Sequence, residues 1–255
     1  MQANTKHLLK SWAIVIFICS VVAIALIAGM IGGVRRRDYT PFVAVAAGLA
    51  VVSVTVLRAR RKAQLLFKDS TPDRAIAFYH SSMKRIPNGK AMAAYTSAFA
   101  AVLYGQFERA REELASVNWA TLPPMYQGFE TYIHSLLAIF EANDYPRALS
   151  LAEEARDLCN VSEKFPGAKK SRVALETNVA VCEVLTGKSD SEVVTRLDRA
   201  SKELSGVASA IPSWALAVHH TRSGDAVAAA RYLSVVKRIL PHDTPLNDPV
   251  AVVRA

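Results

Sequence analysis

Acidic residues are almost missing from the first quarter of the chain. Residues 1–68 hold one, Asp38, against ten lysines and arginines, whereas the remaining 187 residues hold twenty-one of each sign. The whole net charge of +9 therefore belongs to the opening stretch. A basic chain invites a nucleic-acid reading, but the part after residue 68 has no surplus of bases with which to follow a phosphate backbone. Cysteine is scarce as well. Cys19, Cys159 and Cys182 are isolated and odd in number, which argues against a disulfide framework and fits a reducing compartment. Catalytic signatures are missing too: there is no G-x-S-x-G, no G-x-x-x-x-G-K-[ST], no G-x-G-x-x-G and no H-E-x-x-H. The expectation is a non-enzymatic chain with no cofactor and no resident metal.

What the basic stretch does contain is two uncharged apolar runs. Trp12 to Val34 gives 23 residues without a charge, about 34 Å as a helix and enough to cross a bilayer core. Trp12 opens this run, and Arg35, Arg36 and Arg37 close it, an aromatic anchor and a positive stop. A cleaved secretory signal is the competing reading, but the run exceeds the usual core of about 7–15 residues, and a second apolar segment follows at once. That second run, Phe42 to Leu57, has 16 residues, near the short limit for a span. Seven residues, 35–41, separate the two, so the expected form is an antiparallel transmembrane hairpin with a short external loop. Small residues four apart, Gly29 and Gly33 in one run and Ala44 and Gly48 in the other, permit close helix approach in lipid.

Seven bases flank the hairpin on one side (Lys6, Lys10, Arg58, Arg60, Arg61, Lys62, Lys68) and three lie in the loop. Positive-inside bias then places residues 1–11 and the C-terminal domain in the cytoplasm. The linker, residues 58–70, is expected to lie on anionic headgroups through Arg58, Arg60, Arg61 and Lys62, with a nucleic-acid arm as the less favoured use. The Ala/Val-rich composition and lack of organelle-targeting features point to a bacterial cytoplasmic membrane.

From Asp69 onward no strand pattern stands out, and apolar residues recur at helical spacing between short polar turns. Helices are expected near 72–85, 89–104, 107–117, 123–141, 145–159, 170–186, 190–205, 209–222 and 225–240. Three segments repeat one another: AAVLYGQFERAREELASV (100–117), LLAIFEANDYPRALSLAEEA (136–155) and HHTRSGDAVAAARYLSVVKRILP (219–241). Each places a turn residue (Gly105, Asn143, Gly224) five positions before a small one (Ala110, Ala148, Ala229). Gly187 marks a further turn, in a degenerate copy with Glu192 at the small position.

These copies resemble the tetratricopeptide repeat, in which alanine sits where the two helices of a hairpin cross. Pro241 follows Gly224 at the distance of that family's closing proline, and Ala75, Tyr79 and Pro87 in RAIAFYHSSMKRIP (74–87) fall at the spacing of a second helix. The first-helix signature with Trp and Leu-Gly is absent, and the turn-to-turn distances are uneven. The resemblance covers roughly 72–241. It implies an all-α chain whose hairpin anchor is followed by an α/α solenoid, residues 71–241, of about four degenerate helical hairpins, with residues 242–255 an extended tail that caps the last helix or folds back into the groove. An unrelated helical bundle is the alternative.

In that family the first helices line a concave surface that takes up peptides or partner helices. Projected here, the register puts Tyr95, Phe99, Ile133, Phe140 and Trp214 toward a groove, with packing between successive hairpins as the favoured competing use. Adjacent His219 and His220 point about 100° apart on a helix and cannot share a metal; Cys159 and Cys182 read as core fillers. The expected function is a membrane-anchored scaffold or adaptor that recruits a protein partner. The alternatives are a subunit of a membrane complex held through its hairpin, or an outward-facing envelope-assembly factor. Homo-oligomerisation is compatible with each, and a nucleic-acid partner with none.

Overall fold

The structure, a computed structural model, describes Gly48 and residues 71–83, 88–160, 168–204, 206–242 and 244–247. The chain divides into two units between Ala63 and Gln64, and everything described except Gly48 belongs to the second. The two expected spans at 12–34 and 42–57 (Gly48 aside), the loop 35–41, and Arg58, Arg60, Arg61 and Lys62 of the linker lie outside the described residues. Among the described residues no helix is long and apolar enough to cross a membrane.

The described residues of the second unit form helices and no strands. The helices are α1 (Pro72–Met83), α2 (Gly89–Leu103), α3 (Phe107–Ala115), α4 (Pro124–Phe140), α5 (Tyr145–Asn160), α6 (Ala168–Leu185), α7 (Ser191–Glu203), α8 (Ala210–Arg222) and α9 (Ala226–Ile239). Single 3-10 turns occupy Trp119–Thr121, Gly206–Ser209 and Pro245–Asn247. Helices α2/α3, α4/α5, α6/α7 and α8/α9 pair as hairpins, the first helix of each packs beside the first helix of the next, and α1 lies against α2. This packed helix-hairpin arrangement is compatible with a helical-repeat solenoid.

The turns follow from a few residues. Gly105, Gly187 and Gly224 all have positive φ, at 72°, 83° and 78°. At each, the N–H of the glycine and that of the next residue reach back to the helix's last free carbonyls: Gly105 to Val102 and Gln106 to Ala101, Gly187 to Val184 and Lys188 to Glu183, Gly224 to Thr221 and Asp225 to His220. A residue without Cβ takes this left-handed stop at least cost. Asn143 makes the fourth turn, with φ 52°. Asp190 and Asp225 then restart the chain as helix, their carboxylates accepting from the N–H groups of Val193 and Ala228.

Second helices bury a single stripe: Ala110 and Leu114 on α3, Ala148, Ala152, Ala155 and Cys159 on α5, Val193, Leu197 and Ala200 on α7. Steps of three and four place each set on one face. The small members allow close crossing. At Gly128 on α4 an added Cβ would stand 2.9 Å from the Ala155 carbonyl oxygen of α5. The third hairpin carries Lys188 and Ser189 as extra residues before its Asp190 cap, which shifts the register and turns Glu192 out to solvent.

Helix α8 breaks the pattern of an open concave face. Residues 210–218 are buried without exception. The tail contributes to this closure: Leu240 and Leu246 are wholly buried, and the 3-10 turn at Pro245–Asn247 packs on α8 and α9. Pro245 also lies against Gly105, 3.6 Å from where a Cβ would stand, and the ring of His242 is 6.2 Å from that of Tyr104. His242 and residues 244–247 thus tie the last hairpin to the turn of the first; the rest of the expected tail, 248–255, lies outside the described residues.

Candidate functional site

The five aromatic and aliphatic residues projected onto a groove separate into two sets. Tyr95 and Phe99, half-buried on successive turns of α2, face Phe129 and Tyr132 of α4. The Tyr95 ring stacks on Phe129 at 4.7 Å between centroids, and Phe99 on Tyr132 at 6.1 Å. Tyr126 meets Phe129 edge-on at 6.0 Å. Phe140 and Trp214 form a second contact, 5.0 Å apart, between the end of α4 and the middle of α8. Ile133 and Trp214 are both wholly buried, so they serve packing between hairpins and present nothing to solvent. The Trp214 indole N–H finds no hydrogen-bond partner.

Over the first set lies a cleft of about 590 Å³. Its floor is Met92, Tyr95 and Phe129; one wall is the first turns of α6 from Ser171 to Leu175, and the other is the end of α7 with Leu204 and Ala208. Glu203, exposed, is the only charged group of the lining among the described residues. Burial raises the pKa of the Tyr95 and Tyr132 hydroxyls, with Cys159 acting further on Tyr95 and Tyr95 and Cys182 on Tyr132, so both phenols are neutral at physiological pH. An aromatic-floored concavity of this kind suits an apolar side chain or short helix face, fixed by a few polar groups at the rim. Aromatic floors are also where binding energy concentrates.

Beneath the cleft the first helices are joined by a buried polar knot. Ser135 of α4 donates to the Ala148 carbonyl at 2.8 Å and accepts from the Asn178 amide at 2.9 Å, with the Cys182 sulfur at 3.8 Å. This links α4, α5 and α6 at the position where Ala148 lets the helices approach. Burial pushes the Cys182 thiol up to about 12, partly offset by the Ser135 hydrogen bond, and burial also raises Cys159. Both are free, and a thiol so held is a poor nucleophile.

His219 and His220 sit edge-on, 5.1 Å apart. His220 stacks on Tyr232 at 5.6 Å and places Nδ1 3.7 Å from an Asp225 carboxylate oxygen, so its partners are the ring and acid that close the last hairpin. Among the described residues no three of His, Cys, Asp and Glu gather as metal ligands do. Arg222, also at the end of α8, donates to the Val184 and Leu185 carbonyls, a side-chain cap on α6.

Of the five residues projected from the sequence only Tyr95 lines the cleft; Phe99 packs beside it on Tyr132, and sequence reasoning missed Met92, Phe129 and the α6 wall. Those residues lie on the same inner layer, and only the angle between α2, α4 and α6 makes them neighbours. No family model, curated protein or solved structure matches this chain.

Proposed function

We propose that the chain is a membrane-anchored scaffold whose helical-hairpin domain, a degenerate relative of the tetratricopeptide repeat, recruits a protein partner to the cytoplasmic face. The partner inserts an apolar segment into the cleft over Met92, Tyr95 and Phe129. The cleft carries this reading: it is concave and aromatic-floored, and its described lining is apolar apart from Ser171, the Tyr95 hydroxyl and Glu203. Two membrane-length apolar runs bracketed by bases support the anchor. Anchoring raises the local concentration of both parties, so a groove of modest affinity is enough.

The test is crosslinked capture from native membranes through a C-terminal tag, in three versions of the full chain: unaltered, with Ala174→Arg to fill the cleft, and with residues 12–57 replaced by an unrelated anchor. Under this reading capture is lost in Ala174→Arg and survives the anchor exchange. The reverse pattern would establish the second reading, a complex subunit held through its spans, which the Gly29/Gly33 and Ala44/Gly48 spacings favour. A C-terminal reporter fused to the same chain checks sidedness, and a periplasmic signal would transfer the domain to an envelope-assembly role.

A further inference from the structure

The second helices differ in the charge they show to solvent. The exposed residues of α5 include Arg147, Glu153, Glu154 and Asp157, and those of α3 include Glu108, Arg111 and Glu112. On α7 the exposed set holds Glu192, Arg196, Arg199, Lys202 and Glu203. Helix α9 has no acid anywhere along its length, Ala226–Ile239. Its exposed stripe reads Val227, Ala230, Arg231, Ser234, Lys237 and Arg238, which at steps of three and four is one face of the helix. Val227 is 84% exposed, the most open large apolar side chain among the described residues.

A terminal helix of a stack needs a polar outer face to stay soluble, but that need is met by either sign of charge. Lys237 and Arg238 also complement the C-terminal end of the helix dipole, an account that leaves out Arg231, which lies mid-helix and makes no ion pair within 4 Å among the described residues. Arg111 of α3 pairs with Glu108 and Glu141, Arg156 of α5 with Asp157 and Arg196 of α7 with Glu183, whereas among the described residues none of the three bases on α9 makes an ion pair. Arg231 acts on Asp198 of α7, lowering its pKa, but that carboxylate is already bonded to Lys202 and Tyr232.

We infer that the outer stripe of α9 is a docking face for an anionic lipid surface. The occupant follows from charge and relief. Three bases without an ion pair among the described residues, with small residues between them, meet a plane of phosphates evenly, and Val227 supplies a shallow apolar contact at one end. A nucleic acid is the less fitting partner, because the stripe holds no aromatic on which a base stacks and no residue to reach base edges. This inference rests on the membrane anchor proposed above: a domain already held near the bilayer needs only a weak face to settle on it.

The experiment uses the full chain in lipid nanodiscs, with a fluorophore on Ser234→Cys in a Cys19→Ser background, since Cys159 and Cys182 are buried. A second version carries the fluorophore on Glu154→Cys of α5. The discs contain either phosphatidylcholine alone or an equal mixture with phosphatidylglycerol, and both carry a headgroup quencher. Each base near an anionic leaflet changes occupancy roughly fivefold. Quenching at residue 234 should therefore rise at least about fivefold in anionic discs, while residue 154 stays unquenched. The triple variant Arg231→Gln/Lys237→Gln/Arg238→Gln should abolish the rise, as should high salt. Equal quenching in both lipids, or a rise that survives the triple variant, overturns the inference, as does displacement from anionic discs by RNA through the same three bases. A chain that never enters the discs, yet sediments with anionic vesicles through these three bases, overturns the anchor and leaves the docking face standing.

Discussion

First and second helices of the hairpins have similar lengths but live in different solvents. Helix α8 is buried along 210–218 with no polar face at all, whereas α3 buries only Ala110 and Leu114 of its nine residues. The second helices therefore need their first-helix partners, and the first helices need one another. Specificity in such an assembly comes from the inner layer, through volume at Trp214, small size at Gly128 and polarity at Ser135. The outer layer is left to carry charge, and its sequence can drift so long as one stripe stays small and apolar.

The sharpest way to break that contrast is Trp214→Ala. The residue is wholly buried, and removing so large a side chain leaves a cavity between α4 and α8 costing about 3–5 kcal/mol. Urea unfolding of the detergent-solubilised chain should show the loss in midpoint. A cost below about 1 kcal/mol would mean that α8 is not held between its neighbours.

Gly128→Ala comes next. The new Cβ would meet a backbone carbonyl, Ala155 O, at 2.9 Å and the Leu158 Cβ at 3.4 Å. Neither atom is the tip of a flexible side chain, so α4 and α5 must separate, at about 1–3 kcal/mol. Thermal unfolding measures it directly, and no change would show that this crossing is looser than described. On the outer layer the corresponding change is Asp190→Ala, which removes the carboxylate that accepts from the Val193 N–H at 2.8 Å. A lost cap of this kind costs about 1 kcal/mol, and Asn at the same position should restore it.

The local signals explain why the element pattern was legible in the chain. Gly105, Asn143, Gly187 and Gly224 were readable as turns because a left-handed residue is chemically distinctive, and all four have positive φ. Ala110, Ala148 and Ala229 were readable as crossing points because an unusually small residue recurs at one offset; the first two are wholly buried and Ala229 nearly so. The expected helix limits fall within about two residues of those observed wherever a turn residue or cap marks them. The closure was not legible. Whether the inner face of α8 meets water depends on how far each hairpin rotates on the last, and Trp214 looks the same in an open groove and in a core. Nor does any local pattern announce that Pro245 returns to Gly105, because that contact joins residues 140 apart in sequence. The cleft was legible only in part for the same reason: Tyr95 follows from the register of one helix, the α6 wall from the packing of three.

The smallest expected effects come from protons, and they separate the two layers by the pH at which each responds. His219, on the inner helix α8, has its pKa lowered, first by burial and then by His220 and Arg222. The unfolded chain then binds a proton near its ordinary value of 6.5 while the folded chain still refuses one. Stability from this site is intact above that value, falls as the pH drops through it, and stops falling once the folded form also protonates. Asp198, on the outer helix α7, behaves in the more acidic window. The hydrogen bond from Lys202 is the main cause of its lowered pKa, with Tyr232 and Arg231 adding to it against the opposing effect of burial. Its contribution is present above the ordinary value of 3.8 and is lost as the pH falls through the lower folded value. His219→Gln should flatten the stability profile just below pH 6.5 and leave the acid limb alone; Asp198→Asn should do the opposite. Chemical denaturation of both variants at a series of pH values reads the two windows. If either substitution moved both limbs together, the two helices would be titrating as one unit, and the division into an inner and an outer layer would fail where α7 packs against α8.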